Sequence, residues 1–154
     1  MKIINDMLKH IPIPKMVKVR QHFYAPEISN VPEAVRQSIK EADVLERISP
    51  GDQVAIAVGS RGIADIPTIV REVVSAVKQA GGNAFIVPAM GSHGGATAEG
   101  QKEVLAHLGV TEEFVRAPIR SNMDVVEVGR LENGLPVYID KLAYEADKII
   151  VVNR

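Results

Sequence analysis

The chain has 154 residues and a formal net charge of −1; 46% of its residues are apolar, 24% are charged and none is cysteine. That length suits one domain with a real core, and the near-neutral balance argues against nucleic acid as a main partner, since phosphate neutralisation needs a basic surface. The missing cysteines exclude disulfides, zinc–thiolate sites and cysteine nucleophiles and suit a cytoplasmic location, while short apolar runs and an N-terminus without an apolar leader exclude a membrane span and a signal peptide.

Residues 1–15, punctuated by Pro12 and Pro14, read as an extended N-terminal arm, and residues 16–154 as one α/β domain. Met16-Val17-Lys18-Val19-Arg20-Gln21-His22-Phe23 alternates at strand period. A helix is expected from Val31-Pro32, its buried face marked by Val35, Ile39, Ala42, Leu45 and Ile48. Gln53-Val54-Ala55-Ile56-Ala57-Val58 is a continuous apolar run, as in a parallel strand covered on both faces. Asp65 is placed to cap the next helix, with Pro67 in its first turn. Ile66, Ile69, Val70, Val73, Val74 and Val77 form its apolar stripe, and Gly81-Gly82 stops it. A second buried strand, Asn83 to Val87, completes a β-loop-α-β unit.

Thr97 is a plausible cap for a helix running to Leu108, and Thr111-Glu112-Glu113 starts another short turn. Asn133-Gly134 between two alternating runs signals a hairpin, with Pro136 at an edge. A helical turn over Leu142 to Ala146 and a strand over Lys148 to Val152 follow. The fold class expected is α/β, a three-layer Rossmann-like domain with a mostly parallel sheet plus a β-hairpin. The final strand runs straight into Asn153-Arg154. A complete domain would follow such a strand with a functional loop and a covering helix, so the domain is expected to be truncated at its C-terminal end; a natural C-terminal strand is the alternative.

In open α/β sheets ligands bind beyond the carboxyl ends of the strands. Two loops occupy that position. Pro88-Ala89-Met90-Gly91-Ser92-His93-Gly94-Gly95-Ala96-Thr97 carries one histidine among glycines. His93 suits general acid–base work and reads equally as an exposed loop histidine. Gly59-Ser60-Arg61-Gly62 offers backbone N–H groups, a hydroxyl and a guanidinium, a pocket for a carboxylate or phosphate, or else a turn with a solvated arginine. It matches neither a P-loop nor a dinucleotide fingerprint. Adjacent parallel strands would bring Arg61 and His93 to one rim, where an anion anchor beside a proton-transfer group suits a small hydroxy or keto acid. His107 reads as a cation at a helix end, and His10 and His22 as surface or interface residues; no metal-ligand spacing appears, so no metal site is expected on this chain.

At these two loops the sequence resembles the nickel-dependent lactate racemase family, in its N-terminal domain. The likeness is clearest from Gln53 to Gly109, through the Ser60-Arg61 loop, Ala80-Gly81-Gly82 before a strand, Met90-Gly91-Ser92-His93-Gly94 and Ala96-Thr97-Ala98-Glu99-Gly100. It continues through Val137 and Ala146 to Arg154. The resemblance implies His93 as a catalytic acid/base, Arg61 as a substrate-pocket arginine, and Ser60, Gly91, Ser92 and Gly94 as cofactor-binding positions. It also implies a racemase or epimerase acting at C2 of a small 2-hydroxy acid, with hydride accepted by a nickel-pincer pyridinium mononucleotide. In the family a second catalytic histidine, the tethering lysine and the nickel-binding histidine lie further along than Arg154. No covalently bound cofactor is therefore expected on this chain, which should be inactive without the missing C-terminal part of the same protein. The family's first loop often reads Asp-x-Thr-Arg-Pro and its second Gly-Thr-His-Arg; here Val58 stands for the aspartate and Gly94 for the arginine. Those departures point to a 2-hydroxy acid other than lactate. A non-catalytic α/β module binding an anionic metabolite is the alternative reading. A structural domain, its arm serving a homo-oligomer, is a third.

Overall fold

A computed structural model describes residues 8–9, 12 and 15–154. Most of the arm expected over 1–15, with His10, lies outside the described residues.

Three parallel strands form the main sheet in the order β2-β1-β5: β1 Gln53–Val58, β2 Asn83–Pro88 and β5 Lys148–Val152. Val54, Ala55, Ile56 and Val58 are fully buried, as a central parallel strand requires. One face of β1 and β2, carrying Val54, Ile56, Val58, Ala84 and Ile86, packs on helix α2 (Ile66–Gln79) through Val70, Val73, Val74 and Val77. Helix α1 (Val31–Glu41) lies outside α2, while Leu105 of α3 (Ala98–His107) and Val115 of the short α4 (Glu112–Val115) close the same core. The other face, Ala55, Phe85 and Val87, is covered by Ile139, Leu142 and Ala143. These come from an antiparallel hairpin, β3 (Val125–Arg130) and β4 (Pro136–Asp140), and the single turn α5 (Lys141–Tyr144). The three layers and the hairpin are those expected from the sequence.

Three local expectations are corrected. Residues 16–23 form no strand; Met16, Val17, Val19 and Phe23 are exposed. Alternation makes a strand only when a neighbour takes its backbone hydrogen bonds, and none of the described strands does. The first helix stops at Glu41 rather than continuing toward Ile48, because Asp43 adopts a left-handed φ of 50° and the chain re-enters as a 3-10 turn, Leu45–Arg47. Asp65 occupies the N-cap position of α2, but with a φ of 53° its side chain makes no capping hydrogen bond. Thr97 does cap α3, its hydroxyl accepting from Gly100 N at 3.1 Å.

A candidate active site at the carboxyl ends of the parallel strands

Because β1 pairs with β2 in register, Val58 lies beside Pro88 and both chains leave the sheet at the same rim. The seam continues one step further, with Ala89 N donating to Val58 O at 2.8 Å. From β1 comes Ser60-Arg61, and from β2 comes His93. The Ser60 hydroxyl lies 2.6 Å from His93 Nδ1, and Arg61 Nη2 lies 3.5 Å from His93 Nε2. A guanidinium only donates, so a hydrogen bond from Arg61 to Nε2 selects the tautomer with its proton on Nδ1, in which Nδ1 donates to Ser60 Oγ. In that tautomer the Nε2 lone pair lies on the side of the ring that Arg61 approaches. His93 is half-buried and Arg61 exposed, so the ring is held and the cation is accessible.

The loop behind His93 is braced by α3. Gln101, 5% exposed, donates from Nε2 to Gly91 O at 2.8 Å. Gly94 turns with a φ of 63° and sits directly on the backbone of Gly100 and Gln101, leaving no room for a Cβ. Gly91 and Gly95 also have positive φ, but their missing side chains face open space. Ser92 is exposed. Of the four positions assigned to a cofactor by resemblance, then, Gly91 and Ser92 present an open surface. Ser60 is engaged by His93, and Gly94 is packed against α3. Gln101→Ala removes the donor that fixes Gly91 and is expected to cost about 1–2 kcal/mol, measured by urea unfolding.

Val58, where the family's first loop often has an aspartate, is fully buried in the apolar core. Gly62, with a φ of 47°, adopts a conformation closed to proline. His107 ends α3, with Nδ1 2.8 Å from Glu103 O, and His22 is exposed; neither approaches the rim residues in a hydrogen bond. Among the described residues no three His, Asp or Glu side chains gather as a metal-ligand set.

Sequence reasoning missed Gln101 and the pair Asn153-Arg154. The first was legible, because Gln101 shares the inner face with Val104, Leu105 and Leu108, where a polar residue needs a partner. The second follows from pairing: β5 runs parallel beside β1, and Gly59 N donates to Val152 O at 3.0 Å. Asn153-Arg154 therefore emerge at the same rim, where Arg154 Nη1 donates to Gly62 O at 3.3 Å.

Comparison with curated proteins and with solved structures found no match. The family model described as the lactate racemase N-terminal domain matches residues 7–154, nearly the whole chain and both loops of the crevice. The chain belongs to the lactate racemase N-terminal domain family.

Proposed function

We propose that this domain supplies the substrate-anchoring and proton-transfer half of a racemase or epimerase acting at C2 of a small 2-hydroxy acid. The observation that carries the reading is the Ser60–His93–Arg61 constellation on two adjacent strand ends. Arg61 offers the carboxylate a charge-assisted anchor. His93 Nε2, beside it, takes the proton of the C2 hydroxyl as C2 becomes a carbonyl, and returns it when the alcohol re-forms. Ser60 accepts from Nδ1–H, keeping the basic nitrogen turned to the substrate and supporting the positive ring that forms.

The nickel-pincer nucleotide used by the family supplies, when bound, the hydride acceptor for C2. This chain's rim fits part of such a group. The Ser92 hydroxyl and the open loop around Gly91 and Gly95 suit its phosphate and sugar. By resemblance to the family, nickel ligation is assigned to a histidine further along than Arg154. A cytoplasmic location accords with the cysteine-free composition. No described helix is long and apolar enough to cross a membrane.

The test is racemisation by the full-length protein loaded with nickel and cofactor, read by chiral chromatography of 2-hydroxy acids. Interconversion of enantiomers is the expected result. Saturable binding of the acids without any turnover would instead favour the non-catalytic binding module.

A further inference from the structure

A basic groove runs along α2 to the amino ends of β1 and β2, away from the crevice at their carboxyl ends. It consists of two cavities that share Lys78, in the last turn of α2. The first, about 560 Å³, is walled by α1, α2 and the end of α4, and Arg36, Arg71, Glu72 and Arg116 line it. That volume falls in the range of about 300–1,000 Å³ typical of small-molecule sites. The second passes Gln53 and Asn83, the first residues of β1 and β2, and reaches Arg120. Five cations and one carboxylate therefore line the groove.

These charges are not matched within the fold. Arg36 is engaged, with Glu33 at 2.8 Å and Glu72 at 2.7 Å. The other ion pair among the described residues belongs to Arg130. Glu112, Glu113, Asp52 and Asp147 line neither cavity. Three of them turn onto backbone N–H groups instead: Glu112 accepts from Ile119, Asp52 from Ser49 and Asp147 from Gln53. The carboxyl end of α2 adds only about half a negative charge, less than the cations of Arg71, Lys78, Arg116 and Arg120 outweigh.

Three of those cations are also held in place. Arg71, half-buried, lies over the Phe114 ring at 5.4 Å, and Arg120 over the Phe85 ring at 4.4 Å. A guanidinium stacked on a ring still presents its N–H edge to a ligand. Lys78 Nζ donates to Arg116 O, which leaves two of its three donors. The groove thus offers a row of positioned, charged donors.

We propose that this groove binds an oligophosphate chain, inorganic or carried by a small organic molecule such as a nucleotide. Successive phosphates place several anionic centres in a row, each able to take forked, charge-assisted hydrogen bonds, and a lone carboxylate would answer only one cation. The site is separate from the strand-end crevice and independent of its enzymatic reading.

The test is isothermal titration of the full-length protein with inorganic tripolyphosphate, orthophosphate and ATP at about 0.15 M salt, where weak surface attraction is screened. Tripolyphosphate should bind at least about tenfold more tightly than orthophosphate, the effect of one or more added charge-assisted contacts. Lys78→Gln keeps a donor for Arg116 O and removes the charge common to both cavities. It should weaken tripolyphosphate about threefold to fivefold, as for an exposed charge. Arg71→Ala should weaken it about tenfold and Arg71→Lys less, while Arg61→Ala, in the crevice, should leave it within about twofold. Lys78 is exposed, so the Lys78→Gln result stands even where Arg71→Ala disturbs folding. ATP distinguishes the sources: binding tighter than tripolyphosphate supports a nucleotide, and equal or weaker binding supports the inorganic chain. Absence of tripolyphosphate binding would overturn the proposal. So would a loss in Arg61→Ala with none in Lys78→Gln, which would place the anion in the crevice. Tighter binding of a single-stranded oligonucleotide than of tripolyphosphate would make the groove a nucleic-acid surface and overturn it as well.

Discussion

His93→Ala in the full-length protein is expected to slow racemisation by about 10²–10⁴-fold, the usual contribution of a positioned acid–base group. Carboxylate binding should change far less, because Arg61 remains in place on the neighbouring strand. Ser60→Ala removes only the 2.6 Å partner of Nδ1 and should cost about tenfold, the equivalent of one net hydrogen bond. Polarimetry with each enantiomer as substrate measures both effects. Wild-type rates in His93→Ala would remove the residue from the mechanism and, with it, the proposed function.

Gly94→Ala is expected to be strongly destabilising. The added Cβ meets the backbone of Gly100 and Gln101, which cannot rotate away, at a residue whose φ of 63° already disfavours a side chain. Overpacking and the left-handed backbone together should cost about 3 kcal/mol or more. Gly95→Ala is the control. Its φ is 66°, but nothing lies within 4 Å of the new methyl, so only the backbone penalty of about 1–2 kcal/mol remains. Urea unfolding of the two variants separates the terms. Equal losses would show that packing against α3 is not what demands glycine at 94.

This contrast also bears on the arginine that stands in the family's second loop where this chain has Gly94. Any side chain at 94 would need a different seat on the Gly100 turn. The difference is therefore one of backbone packing as well as charge.

The parallel core was legible because its signals are local and redundant. The all-apolar, β-branched run from Val54 to Val58, short and bounded by turn residues, suits a strand covered on both faces, and the stripe from Ile66 to Val77 suits an amphipathic helix. The pairing of Arg61 with His93 was legible for a topological reason: a β-loop-α-β unit brings both exit loops to one rim. The residues from Met16 to Phe23 misled because alternation reports a preference for extended backbone and says nothing of whether a neighbour is available. Asp65 misled because its type suits a cap while its backbone turns left-handed before Pro67. Arg154 could not be placed from its own surroundings. Its position depends on which strand β5 chooses as neighbour, a long-range choice with no local sequence mark.

The central place of β1 has a consequence for the order in which the crevice comes together. Its partner β2 is tied in across a short loop, with Asn83 Nδ2 bonding Gly51 O at a separation of 32 residues. Its other partner is registered by Asp147, which bonds Gln53 N at 2.8 Å across 94 residues. Closing the longer loop costs about 1 kcal/mol more in chain entropy, and contacts so distant in sequence form late. The folding chain should therefore bring the exit loops of β1 and β2 to one rim before the end of β5 docks beside them.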